Sequence, residues 1–308
     1  MTRRVLITGA SGFIGKHLTR ALAKQGWQVR AAARDPASIQ ATSGVEAVAM
    51  PDLAQPADWS PLLDGVSHVL HLAGIAHGPG TFSGALYARI NGDAVGELGD
   101  QARGRIERLV FVSSVRAQVG VSANHVITET DAPIPTDDYG RAKLKGEKLL
   151  AESGVSFTVV RPAVVYGKGV KGNIAALATL AKTPMPLPFA RLTNRRSLLA
   201  LDNLVSAVSL VLSAERAANE TFLVADAKPI SVADIVTSMR EGLGRPPHLV
   251  NVPSSAIMRL MKSFGREADW ERISGSFVID PSKLMGIGWQ PSLSTHDGIV
   301  RMMRPERD

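Results

Sequence analysis

The stretch Thr8-Gly9-Ala10-Ser11-Gly12-Phe13-Ile14-Gly15 follows at once on the apolar run Val5-Leu6-Ile7. It leads into Leu18, Ala21 and Leu22, which share one face at helical spacing. The three pieces read as a strand, a tight turn and a helix. Glycines in such a turn let the backbone approach a pyrophosphate, and the helix N-terminus behind them offers free amides and a positive dipole end. The spacing is G-x-x-G-x-x-G, which alone is a weak signal. Its place at the end of the first strand favours a dinucleotide held by Gly9, Ser11, Gly12, Phe13, Ile14 and Gly15.

The strand-helix alternation continues. Residues 28–33, 45–50, 67–73, 108–113 and 157–161 read as further strands, and helical stretches run through 86–102 and from about 139 to 153. Strands separated by helices of this length pair in parallel through right-handed crossovers, and near-continuous apolar strands are those covered on both faces. The expected fold is α/β, a Rossmann-type doubly wound parallel sheet over residues 1–165 that binds NAD(P). After Tyr166 the texture changes to Gly167, Gly169, Gly172, Pro184, Pro186 and Pro188. Residues 166–308 read mainly as a smaller substrate-binding lobe, with part of the chain returning to the main sheet.

Composition excludes several classes. With no cysteine among 308 residues, a disulfide scaffold, a Cys-ligated metal and a thiol nucleophile are ruled out. The best apolar stretch, 204–214, is broken by three serines and falls short of the roughly 18 uninterrupted residues of a membrane span. Arg3 and Arg4 run into an apolar run too short for a signal peptide, so a cytoplasmic protein is expected. The net charge is +7, but there is no basic run with interleaved aromatics, which favours an anionic small ligand over nucleic acid. His68, His71 and His77 lack carboxylates at ligand spacing and read as core or loop residues, with no metal site.

The second strand ends Ala31-Ala32-Ala33-Arg34-Asp35. An acidic residue at that end would take the ribose hydroxyls of NAD, whereas Arg34 can pair with a 2′-phosphate. NADP, as NADPH, is favoured; if Arg34 is a solvated loop residue, Asp35 meets the ribose and the cofactor is NAD. Asp52 and Leu53 are placed to face the adenine, and Ala73-Gly74 lets backbone approach the cofactor.

Tyr139 and Lys143 are four apart on a helix and share a face. A lysine ammonium near a phenol favours the phenolate, and such a tyrosine exchanges a proton with a substrate hydroxyl while hydride moves to or from the cofactor. Ser114, at the end of the fifth strand, can hold the reacting oxygen. Ser113 is its neighbour, and the choice between them is one of register; Ser114 is preferred.

TGASGFIG, HLAG, FVSS, YGRAK and RPAVVYG, in this order, resemble the extended short-chain dehydrogenase/reductases of the NAD-dependent epimerase/dehydratase family. The resemblance covers nearly the whole chain. It implies a Ser-Tyr-Lys catalytic set, Asn91 as a supporting residue, Lys143 on the nicotinamide ribose, and Arg161 and Pro162 among the cofactor contacts. A homodimer through a four-helix contact that includes the Tyr139 helix is also implied.

The second half is similar to the nucleotide-sugar 4-epimerases and 4-ketoreductases of bacterial polysaccharide pathways. The resemblance rests on Val170-Lys171-Gly172-Asn173, Pro186-Leu187-Pro188-Phe189, Asn194-Arg195-Arg196-Ser197, Trp270-Glu271-Arg272 and Gly288-Trp289-Gln290-Pro291. It implies that Asn173, Pro188 and Phe189 line the nucleotide, and that Arg195 or Arg196, together with Arg272, meets the diphosphate. Arginine forks suit phosphate oxygens. Val164 stands where galactose-type epimerases carry a sugar-touching asparagine. With Arg34, this favours reduction of a UDP-4-keto-hexose over a UDP-sugar 4-epimerase that retains NAD. A cofactor-sensing binding protein without turnover would dispense with Tyr139 and Lys143, and both are present.

Overall fold

The computed structural model describes residues 3–76, 82–263, 265, 270 and 273–305; His77 and Arg272 lie outside them. In chain order the strands are β1 (Arg4–Thr8), β2 (Gln28–Ala33), β3 (Val45–Ala49), β4 (His68–His71), β5 (Arg108–Val112), β6 (Val126–Ile127) and β7 (Phe157–Pro162). Then come β8 (Val164–Tyr166), β9 (Arg195–Arg196), β10 (Leu198–Ala200), β11 (Glu220–Val224), β12 (Ile230–Ser231) and β13 (Val278–Ile279). The helices are α1 (Phe13–Lys24), α2 (Ser60–Leu63), α3 (Gly84–Ala88), α4 (Ala94–Ala102), α5 (Asp138–Glu152), α6 (Asn173–Ala181), α7 (Leu201–Ser213), α8 (Val232–Gly242) and α9 (Ser254–Ser263), with a C-terminal helix Thr295–Met303.

Seven strands form the main sheet in the order β11-β7-β5-β4-β1-β2-β3. Neighbours in it are parallel. Successive side chains on a strand point to opposite faces, and both faces are buried. Val5, Ile7, Val110 and Val112 pack on Leu18 and Leu22 of α1 and on Leu204, Val208 and Val211 of α7. Leu6, Leu109 and Phe111 pack on Leu98 of α4 and Leu150 of α5. The strand order reverses between β1 and β4, which opens the crevice where ligands of such sheets bind.

The single helix expected over 86–102 is interrupted. A π turn, Arg89–Asp93, separates α3 from α4 and inserts one residue into the helical repeat.

Beyond β7 the chain leaves the sheet and returns as β11, beside β7. The excursion contains the small pair β8 with β10, its β9 pairs with β12 beyond β11, and a third small pair, β13 with β6, lies outside it. Asp226, just past β11, ties it together. Its Oδ1 accepts from the Ala200 amide (2.9 Å) and Asn203 Nδ2 (2.7 Å), and its Oδ2 accepts from Tyr166 Oη and Thr295 Oγ1 (3.0 Å each). No helix among the described residues is long and apolar enough to cross a membrane.

The ends of β1 and β4 are locked by one hydroxyl. Thr8 Oγ1 accepts from the amides of Leu72 and Ala73, both at 3.1 Å, so its proton goes to Nδ1 of His71 at 2.9 Å. The ring proton therefore sits on Nε2, buried between Trp59 and Phe111 without a partner among the described residues. Burial, with Lys143 nearby, lowers the His71 pKa to about 3. The unfolded chain takes up that proton near 6.5, so folded stability falls as pH drops below this value. Between pH 7 and pH 5 this one group removes about 2 kcal/mol. His71→Gln should abolish that part of the pH dependence in urea melts at the two pH values; an unchanged dependence would refute the assignment.

Candidate active site

The glycine turn brings β1 and α1 against the end of β4. Gly9 has φ +68°, and a Cβ there would come within 2.9 Å of the Ala73 amide nitrogen. A Cβ on Gly15 would meet the Gly9 carbonyl oxygen at 2.2 Å. Gly12 precedes α1, and no side chain caps the helix. The first-turn amides after Ser11, those of Phe13 and Ile14 among them, therefore have no side-chain acceptor, as a pyrophosphate site requires.

Arg34 stands exposed after β2, with no hydrogen bond or ion pair among the described residues. Asp35 is engaged locally: its Oδ1 accepts from the Ala37 amide at 3.0 Å. Asp52 likewise accepts from the Ala54 amide (3.0 Å), and Leu53 is buried beside it.

Asn91 sits in the π turn, fully buried. Its side chain pairs with both backbone groups of Ile75, accepting at 3.0 Å and donating at 2.9 Å. A Cβ on Gly74 would lie 2.4 Å from Asn91 Oδ1 and 3.7 Å from Lys143 Nζ. Gly74, Asn91 and Lys143 thus converge at the end of β4.

Ser114 closes β5 and caps the turn Val115–Ala117, its Oγ accepting from the Arg116 amide at 3.1 Å. It shares a cavity wall with Tyr139, whose phenol it acts on in the direction that favours ionisation. Ser113 points the other way and donates to Glu147. Burial pushes the Tyr139 phenol up to about 12, with the Ser114 hydroxyl pulling against it. Lys143 is also buried, which lowers its ammonium to about 8, and Glu147 opposes that shift. Lys143 Nζ donates to the Val112 carbonyl at 3.2 Å and lies 4.6 Å from the Phe111 ring centroid. The sequence reading has the ammonium lowering the phenol; here the ammonium is turned toward Val112 and burial dominates at Tyr139.

A cavity of about 280 Å³ opens in front of this set. Ser114, Tyr139 and Pro162 line it, and Val164, Asn173, Arg196 and Phe277 form other parts of its wall. Arg196 donates to the Gly275 carbonyl (2.6 Å) and the Val121 carbonyl (3.3 Å). Burial lowers its pKa, and it makes no ion pair among the described residues.

Several expected contacts lie elsewhere. Arg195 is exposed, faces away beside Asp234 (3.7 Å) and does not line the cavity. Phe189 packs with Leu187, Leu192, Val232 and Val236, and neither it nor Pro188 lines the cavity. The Arg161 side chain, expected at the cofactor, is committed inside the protein to Glu147 (Nε to Oε1, 3.0 Å) and to Gln118. Phe277 and Arg116 are among the wall residues not assigned from sequence. Phe277 carries no chemistry that marks it. Arg116 is marked only by opposite charges flanking the set, two residues after Ser114 and two before Tyr139.

Residues 5–225 match the family described as NAD dependent epimerase/dehydratase. The chain belongs to this family, and it is an NAD(P)-dependent enzyme of the short-chain dehydrogenase/reductase type. It is 30% identical over 310 residues to a UDP-glucose 4-epimerase of Vibrio cholerae, covering 97% of this chain and 94% of that protein. It is 27% identical over 257 residues to a ceramide reductase of Caulobacter vibrioides, covering 82% of this chain and 75% of the relative. The fold is similar to that of a UDP-glucuronic acid 4-epimerase from Bacillus cereus in complex with NAD, with TM-score 0.78 and 20% identity over 97% of this chain and 95% of the other.

The Arg161 finding is testable. Removing one partner of a buried pair leaves an uncompensated charge and typically destabilises by about 3–5 kcal/mol. Arg161→Met should lose stability on that scale, read by chemical denaturation, while the folded variant binds dinucleotide like the wild type. A stable variant with weakened dinucleotide binding would restore the cofactor role.

Proposed function

We propose that the protein is an NADPH-dependent reductase of the C4 carbonyl of a UDP-4-keto-hexose. The observation that carries the reading is that Ser114 and Tyr139 meet in the wall of one cavity that also holds Asn173 and Arg196. Ser114 Oγ holds the carbonyl oxygen and Tyr139 gives it a proton. A phenol pushed up to about 12 is protonated at neutral pH, the state that a reduction needs at its start. Arg196 is half-buried with no carboxylate partner among the described residues, and a diphosphate supplies the missing counter-charge.

The dinucleotide, when bound, supplies the hydride. The turn Gly9–Gly15 would hold its pyrophosphate, Asp52 and Leu53 its adenine end, and Gly74, Asn91 and Lys143 its nicotinamide end. Arg34 supports NADPH because its guanidinium is unengaged while the Asp35 carboxylate already bonds the Ala37 amide. Val164 supports reduction because it gives the cavity wall an apolar group where a sugar hydroxyl would seek a donor. The second reading is a UDP-sugar 4-epimerase that retains NAD, favoured by the 30% identity to the Vibrio cholerae UDP-glucose 4-epimerase over most of both chains. The family resemblance adds a homodimer to the proposal, whose stoichiometry light scattering tests.

Two variants and one assay separate the readings. Tyr139→Phe should lower turnover of a UDP-4-keto-hexose by orders of magnitude with NADPH binding kept; a fully active variant would remove Tyr139 from the chemistry. Arg34→Ala should weaken NADPH binding about tenfold and leave NADH binding unchanged. Tightly held NAD in the freshly purified protein, with interconversion of UDP-sugars without added cofactor, would replace the reductase by the epimerase.

A further inference from the structure

Arg116 and Asp137 form an ion pair across the two segments that carry the reacting groups. Arg116 follows Ser114 by two residues, in the turn Val115–Ala117. Asp137 precedes Tyr139 by two and caps α5, its Oδ1 accepting from the Gly140 amide at 2.7 Å. The backbones also fit closely there: a Cβ on Gly140 would meet the Arg116 carbonyl oxygen at 2.3 Å. Arg116 lines the 280 Å³ cavity, and its Nη1 is buried with no hydrogen-bond partner among the described residues.

We propose that Arg116 and Asp137 are positioning residues of opposite sign, which hold Ser114 in register with Tyr139 and bear on the Tyr139 phenol with opposing charges. This rests on the reading of Tyr139 as the proton donor. A cation beside a phenol favours its ionised form and an anion opposes it. Both side chains are half-buried, with 17% and 24% of their surface exposed, and they act on Tyr139 in these directions.

The surrounding groups leave the pair room to act. Tyr87 on α3 faces Tyr139 edge-on at 6.1 Å between centroids. On the π turn and α4, Arg89 pairs with Glu97, and Asp93 pairs with Lys145 of α5. On β7, Arg161 is held by Glu147, and Lys143 points to the Val112 carbonyl. Arg196 lies in the same cavity wall, engaged with carbonyls of Gly275 and Val121. Ser114 shares the cavity wall with Tyr139 but carries no charge.

The test is a spectrophotometric titration of phenolate absorbance in the protein saturated with NADP. The chain has three tyrosines, and subtracting the Tyr139→Phe titration isolates Tyr139. Arg116→Met, which keeps the apolar stem, should raise the Tyr139 midpoint by on the order of one pH unit. Asp137→Asn, which keeps the helix cap, should lower it by a similar amount. A pair that only fastened the two segments would loosen either way and move both midpoints in the same direction. Shifts of one sign, or none, overturn the proposal. Arg116→Lys keeps the charge if Arg116→Met does not fold, and its midpoint should stay near the wild type; a shift there counts against the proposal. Retained turnover in Tyr139→Phe would instead fell the proton-donor reading, and the midpoints would still report on the pair.

Discussion

The buried pair of Arg161 on β7 and Glu147 on α5 fixes the geometry on which the reacting end depends. Such a pair is tolerable only when its remaining donors and acceptors are answered. Here Ser113 donates to Glu147, and Gln118 accepts from Arg161. Gln118 in turn donates to the Thr128 carbonyl at 3.3 Å. One carboxylate therefore sets the rotation of α5 against two strands and a loop. Glu147, Lys143 and Tyr139 are spaced by four along that helix, so anchoring the first orients the other two. Adjacent residues at a strand end point opposite ways, so Ser113 held by Glu147 leaves Ser114 beside Tyr139.

What the sequence made legible was whatever is encoded locally. The alternation of short apolar runs with helical faces is a local property, and the main-sheet strands of the first half lie where it puts them. The glycine turn is local in part: a Cβ on Gly15 is excluded by Gly9 and Ala10 in the same turn, whereas one on Gly9 is excluded by Leu72 and Ala73 at the end of β4. Tyr139 and Lys143 share a face through helix geometry alone.

The remainder depends on partners remote in the chain. Arg195 and Arg196 are chemically equal neighbours on β9. Pairing with β12 and the bridge from Arg196 to Phe277 decide which one enters the cavity. Arg161 reads as a cation near a binding site until Glu147 is known to be buried against it. The π turn at Asn91 adds a single residue to a helical pattern, too small a change to disturb the spacing of apolar positions. Arg272 and His77 fall outside the described residues.

The chain leaves the main sheet after Pro162 and re-enters it at Glu220, on the strand directly alongside: Glu220 pairs with Thr158 and Val224 with Pro162. Parallel neighbours always need a crossover, so the segment between them is an enlarged version of a connection the sheet requires anyway. Lengthening a connection adds little closure entropy, roughly 0.6 kcal/mol for each doubling. Asn173 and Arg196 both lie on this connection, whereas Ser114 and Tyr139 lie outside it. Part of the cavity wall is therefore an enlargement of a connection whose length the strand pairing beneath does not depend on.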